Sequence, residues 1–261
     1  MTKIDIDLDG HVIIVTGASK GIGLGIARHL ADLGARLVVT ARKPEALEAL
    51  DAELTERGTP HLARQLNTSD RDGAVALAAD VHAEFGRIDG LVANAQSFIS
   101  VKPLEEVTER NMDLLFDTGP KGTLWGMQSV FPYMRDQGRG RIVTMGSNAA
   151  IMGGGGFGPY ASSKEAIRGL TRVAAREWGP LGITVNCVCP VSVAHRAPAE
   201  GEEMDPVRAA MWAETFKNQP IPRDGSATDD IAPIVAFLLS DASRYMTGQT
   251  LMADGGAIMR P

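Results

Sequence analysis

The sequence predicts an α/β protein: a single domain built on a doubly wound parallel sheet with helices on both faces. Three observations predict it. Short apolar runs rich in β-branched residues alternate with stretches of helical spacing along nearly the whole chain. The connections between those runs are long enough to hold a helix, which parallel neighbours require. Finally, 261 residues, 44% hydrophobic and 22% charged, suit one sizeable core. No linker, low-complexity tract or solenoid repeat interrupts them, so 1–261 reads as one unit.

Each element has its own signal. HVIIVTG (11–17) is a short β-branched run and predicts a buried strand. In 21–34, Ile22, Ile26, Leu30 and Leu33 fall near helical spacing and Gly34 is a natural stop. RLVVTA (36–41) predicts a second strand, and 44–58 an amphipathic helix with Pro44 in its first turn. HLARQL (61–66) is a weaker strand. Ser69 or Asp70 then caps a helix running to about Phe85. IDGLVAN (88–94) is a strand, followed by helices over about 104–117 and 121–137. GRIVTMGS (140–147) is a strand, 158–179 a helix and GITVNCVC (182–189) a strand. An irregular stretch, 191–204, precedes a helix near 206–217. A helix over 228–240 and the strand QTLMAD (249–254) close the pattern.

The first strand ends in TGASKGIG: Thr16, Gly17, Ala18, Ser19, Lys20, Gly21, Ile22, Gly23. A strand turning into a helix N-terminus presents unpaired N–H groups and a positive dipole end, where a pyrophosphate can sit. Glycines permit the tight turn and close backbone approach. In such sheets an acidic residue ending the second strand binds a ribose diol, whereas an Arg accommodates a 2′-phosphate. Here that strand ends Thr40, Ala41, Arg42, Lys43. With no carboxylate to repel a phosphate, and with Arg42 and Lys20 to bind it, NADP(H) is favoured over NAD(H).

GPYASSK (158–164) places Tyr160 and Lys164 four residues apart, on one helix face, and Ser147 stands thirteen residues before Tyr160. Together with TGASKGIG, NCVCP and MTGQTLMADGG, these stretches resemble the short-chain dehydrogenase/reductase family, over about residues 8–257. The resemblance implies a Rossmann-like fold with a seven-stranded parallel sheet, a nicotinamide dinucleotide, oxidoreduction of an alcohol/carbonyl pair with a 3-oxoacyl thioester or a cyclic or steroid-like ketone both open as substrate, and Ser147, Tyr160 and Lys164 as catalytic residues. Matching further positions implies cofactor contacts from Asn67 and Thr68 near adenine, from Asn94 and Ala95 after the fourth strand, and from Pro190 and Val193 over the nicotinamide. The chemistry can also be argued from the residues. A free tyrosine, with a pKa of ~10, is too weak an acid for easy exchange at neutral pH. A neighbouring ammonium favours its phenolate, which makes Tyr160 a usable general acid or base. Ser147, at the end of its strand, can hydrogen-bond the substrate oxygen.

Five positions depart from the family pattern. Gln96 stands where the motif after the fourth strand has glycine, and Asn67 replaces an aspartate. Val191 follows Pro190 in place of glycine, and His195 replaces a threonine. Gly119 also stands where an asparagine is thought to hold a water of the proton relay. Gly119 would leave space near the lysine, and Gln96 adds an amide in the same region. Because of these changes, a nucleotide-binding scaffold or sensor with impaired catalysis is the rival reading.

Formal net charge of −6 and the lack of a basic run argue against nucleic acid and anionic membranes. The N-terminus lacks signal-peptide character and no apolar run reaches the ~18 residues of a span, so a cytoplasmic protein is expected. Cys187 and Cys189 read as small buried residues on one strand face, and the five histidines form no ligand-spaced cluster. A substrate lid is expected at about 191–218. The family resemblance implies a homotetramer packed through 121–137 and 158–179, with Met127, Val130 and Trp178 as candidate contacts.

Overall fold

The structure, a computed structural model, describes residues 6–192, 217 and 219–259. Seven parallel strands form one sheet in the order β3-β2-β1-β4-β5-β6-β7. They are β1 (Val12–Thr16), β2 (Arg36–Ala41), β3 (His61–Gln65), β4 (Gly90–Ala93), β5 (Gly140–Met145), β6 (Ile183–Pro190) and β7 (Thr250–Ala253). Strand order reverses between β1 and β4, which opens a crevice at their carboxyl ends.

Every residue of β1 is buried, because both faces of the sheet are covered. Its side chains alternate: Ile13 and Val15 join Leu37, Val39 and Val143 in one core, while Val12 and Ile14 join Val38, Leu91 and Ile142 in the other. The first core is covered by α1 (Gly21–Asp32) and α8 (Ala232–Leu239). The second is covered by α3 (Arg71–Phe85), α5 (Gly122–Gln137) and α7 (Gly158–Trp178).

Several boundaries differ from the sequence reading, each for a local reason. The stretch 44–58 opens as a 3-10 turn, Pro44–Leu47, before α2 (Glu48–Glu56). Of the two candidate caps for α3, Asp70 holds the place and accepts from the Gly73 N–H. The helix expected over 104–117 is split. A 3-10 turn, Leu104–Glu106, comes first; α4 (Glu109–Phe116) then starts afresh at a capping box between Thr108 and Asn111. No loop separates α4 from α5. The chain continues as a π-turn, Asp117–Lys121, in which the Gly122 N–H donates to the Asp117 carbonyl. Pro120 has no N–H for the carbonyl four residues back, so the bonding register slips. A short helix, α6 (Asn148–Met152), was not legible, being too brief to show a period.

Met127 and Val130, expected as partner contacts, are each 1% exposed and belong to the chain's own core. Trp178 is half-buried, its ring 4.7 Å from that of Phe131. Val193, His195 and most of the expected lid, including its 206–217 helix up to residue 216, lie outside the described residues. Among the described residues, no helix is long and apolar enough to cross a membrane.

Candidate active site

The turn after β1 is shaped by missing side chains. Gly17 sits at φ +67°, and a Cβ there would press on Ala95 at 3.0 Å; one on Gly23 would collide with the Gly17 carbonyl. Lys20 precedes α1 without giving its N-terminus a side-chain cap. The first N–H groups of α1 are therefore left open to the crevice, with the positive dipole end behind them. A cradle that a Cβ would fill, lined by open donors, fits a pyrophosphate. Ser19 and Ile22 are half-buried in this turn, and Lys20 is exposed.

Asn94 and Ala95 hold the cradle in place. The Asn94 Nδ2 donates to the carbonyls of Thr16 (2.9 Å) and Gly17 (3.2 Å), and the Thr16 hydroxyl accepts the N–H groups of Asn94 and Ala95 at 3.0 Å each. Arg42 is exposed directly after β2, whose end carries no carboxylate; the nearest acidic residue onward is Glu45. The Asn67 Oδ1 accepts from the Ser69 hydroxyl at 2.9 Å, and Thr68 lies against Gly122 at the start of α5. Pro190 ends β6, and Val191 beyond it is buried.

The catalytic candidates lie after β5 and on α7. Ser147 follows β5 in extended conformation, is 6% exposed and precedes α6 without bonding to it, so its hydroxyl is available to a substrate. Tyr160 lies in the first turn of α7, and Lys164 one turn on. The Lys164 ammonium is 5% exposed, donates to the Met145 carbonyl at 2.9 Å and stands 5.6 Å from the Tyr160 ring centroid. Met145 is two residues before Ser147, so this bond ties α7 to the carboxyl edge of β5. Burying an ammonium costs on the order of several kcal/mol. One carbonyl takes one of its three protons, leaving two N–H groups for a ligand.

Gln96 and Gly119, two of the departures, meet. A Cβ on Gly119 would lie 2.7 Å from the Gln96 Nε2 and 2.9 Å from its Cδ. The amide fills the space the glycine leaves. Its Nε2 donates to the Ser163 hydroxyl at 2.7 Å and to the Leu115 carbonyl at 3.4 Å. Ser163 donates in turn to the Tyr160 carbonyl at 2.8 Å. Gln96 therefore braces the turn of α7 between Tyr160 and Lys164, while its Oε1 is buried without a partner.

Cys187 and Cys189 are free, fully buried and on one face of β6, both sulfurs facing Gly146. The Cys187 thiol is pulled down to about 7, chiefly by the hydrogen bond from Cys189, against the effect of burial; Lys164 and Arg168 add positive charge. Cys189, as the donor, is pushed up. Phe98 and Phe157, whose rings stand 5.4 and 6.1 Å from that of Tyr160, were missed by the sequence reading, since neither lies in a motif.

The family profile described as enoyl-(acyl carrier protein) reductase matches residues 17–257, which takes in the cradle and all three catalytic candidates. The chain belongs to the short-chain dehydrogenase/reductase family. It is 36% identical over 261 residues to a 12alpha-hydroxysteroid dehydrogenase of a Clostridium species, covering 97% of this chain and 98% of the relative. It is also 36% identical over 247 residues to the 3-oxoacyl-(acyl-carrier-protein) reductase FabG of Staphylococcus aureus, covering 94% and 97%. The solved structure of levodione reductase matches with a TM-score of 0.86 at 32% identity, covering 95% of this chain and 98% of that one. As a short-chain dehydrogenase/reductase, the protein is an oxidoreductase of CH–OH and C=O groups that uses a nicotinamide dinucleotide.

Proposed function

We propose that this short-chain dehydrogenase/reductase is NADP(H)-dependent, interconverting a ketone or aldehyde and an alcohol with Tyr160 as general acid and base. One observation carries the assignment: a buried ammonium, Lys164, fixed to the Met145 carbonyl beside the Tyr160 ring at the carboxyl edge of the sheet.

In reduction, the dinucleotide supplies the hydride that adds to the carbonyl carbon. Ser147 donates a hydrogen bond to the carbonyl oxygen as negative charge gathers there. Tyr160 passes its phenolic proton to that oxygen, giving the alcohol, and takes a proton back from solvent on the Lys164 side. Lys164 favours the transient phenolate by its charge. In oxidation the same groups work in reverse, Tyr160 as base. Gly17, Ser19, Gly21, Ile22 and Gly23 would hold the pyrophosphate, and Lys20 and Arg42 a 2′-phosphate. The exposed cations and missing carboxylate after β2 support that choice over NAD(H). Free buried cysteines accord with a reducing, cytoplasmic setting. The homotetramer through α5 and α7 rests on the family resemblance alone.

The test is NADPH consumption with a panel of carbonyl compounds. Wild type should turn over and Tyr160→Phe should lose about 10²–10⁴-fold in kcat. Equal inertness of the two, with NADPH still bound, would instead establish the sensor reading.

A further inference from the structure

The structure also bears on which carbonyl compound is taken. This step rests on the oxidoreductase reading above and deepens it. The chain after β4 crosses to the loop before α7, where the Lys102 N–H donates to the Gly156 carbonyl at 3.1 Å. Two glycines let the segments close. The Cβ position of Gly156 is 3.2 Å from the Val101 Cβ, and that of Gly158 is 2.8 Å from the Leu104 Cδ1. The Phe98 ring meets Tyr160 edge-on, 5.4 Å between centroids and 76° between planes, and lies 6.4 Å from Phe157. Phe157 lies 6.1 Å from Tyr160, so the three rings form one cluster around the phenol.

This wall is apolar, yet it faces outward. Phe98 is 43% exposed, Val101 44%, Leu104 73% and Met152, which ends the short helix after Ser147, 63%. These are four of the eleven large exposed hydrophobic residues among those described, and all four fall on the two segments that flank Tyr160. Scattered exposed apolar residues need no explanation, but a concentration of them on the segments beside a catalytic candidate marks a ligand surface. The nearby charged residues are one ammonium, Lys102, and two carboxylates, Glu105 and Glu106. Among the described residues, these form no cationic clamp for a phosphate, a carboxylate or an acidic carrier protein. Of the hydrogen-bonding groups beside this wall, the Ser147 hydroxyl and the Tyr160 phenol are placed for the reacting oxygen.

We propose that the substrate is a bulky apolar ketone, alicyclic or aromatic, or the matching secondary alcohol, with its ring body against Phe98, Phe157 and Val101. The reacting oxygen is its principal polar group. Sugar-like polyols and small hydroxyketones fit badly, because their hydroxyls would lose water against phenyl rings without gaining partners.

The experiment compares kcat/KM with NADPH for 2-decalone and 1-tetralone, for dihydroxyacetone, and for the N-acetylcysteamine thioester of acetoacetate. The bicyclic ketones should exceed dihydroxyacetone by about 100-fold or more, and should also exceed the thioester. Phe98→Ala should reduce that preference about tenfold, mainly through KM, and Phe98→Leu should restore part of it. A preference for dihydroxyacetone or the thioester in wild type overturns the proposal, whatever the variants do. Calorimetric titration of the NADPH-loaded protein with 2-decalone separates the two levels of inference. Binding without turnover keeps the apolar site and sinks the enzymatic reading, whereas turnover of other carbonyls without decalone binding sinks the apolar site alone.

Discussion

Lys164 shows how much one side chain can carry. It is 95% buried, pinned by the Met145 carbonyl, and its ammonium stands 5.6 Å from the Tyr160 ring centroid. Replacement by the similarly shaped, uncharged Met should leave the fold intact and lower kcat by about 10²–10⁴-fold, measured by steady-state NADPH oxidation. A near-normal kcat would show that the ammonium is structural. Gln96 and Gly119 make a second case. Gly119→Ala pushes a Cβ against the end of the Gln96 side chain, which must swing aside and give up its bond to Ser163, and should cost about 1 kcal/mol in urea unfolding. In the Gln96→Ala background the same change should cost much less, because the obstacle is gone. Additive penalties in this double-mutant cycle would mean that the two residues do not meet. The sequence marked both positions as unusual. It could not mark Ser163, which links the amide to the catalytic turn, because a serine in a helix has no distinguishing pattern.

Among the elements, the entry to α8 shows a local electrostatic lock. Ahead of it, Arg223 forks onto both Asp230 oxygens at 2.6 and 2.8 Å, and the Ser226 N–H donates to the same carboxylate at 2.7 Å. These bonds hold the Asp230 carboxyl down to about 2, led by Arg223. A carboxylate depressed in the folded state stabilises it above the ordinary value of 3.8, and loses that contribution as pH falls from there to about 2. Because the pair is largely open to water, its effect on stability is small and salt-dependent. In a carboxyl-detected NMR titration, Arg223→Ala should move the Asp230 midpoint upward towards 3.8. An unmoved midpoint would assign the depression to the Ser226 N–H alone. The split between 3-10 turn, α4 and π-turn was less legible than this clamp, since the sequence reads as two plain helices over 104–117 and 121–137 while the breaks arise from Thr108 and Pro120.

For the molecule as a whole, the cradle joins β1, α1 and β4, so filling it should stabilise the entire domain. A dinucleotide at 100 times its Kd adds ~2.7 kcal/mol to unfolding, a rise of several degrees in Tm for a chain of this size. NADPH should raise Tm more than NADH at equal concentration, and Arg42→Ala should shrink the difference. A larger shift with NADH would reverse the cofactor assignment and leave the fold untouched.

Sequence alone determined the sheet and its parallel sense, and it marked the glycine turn and Ser147, Tyr160 and Lys164 as site candidates. Each is written in a short-range pattern: apolar runs, a fixed turn, a spacing of one helical turn. Those patterns follow from backbone geometry, which repeats at known periods. Tertiary structure decided what lies between the patterns. It seated Gln96 against Gly119, sank Met127 and Val130 into the core, and brought Phe98 and Phe157 to the Tyr160 ring. Such contacts join residues far apart in the chain through packing, which depends on volume and direction and leaves no period in the sequence.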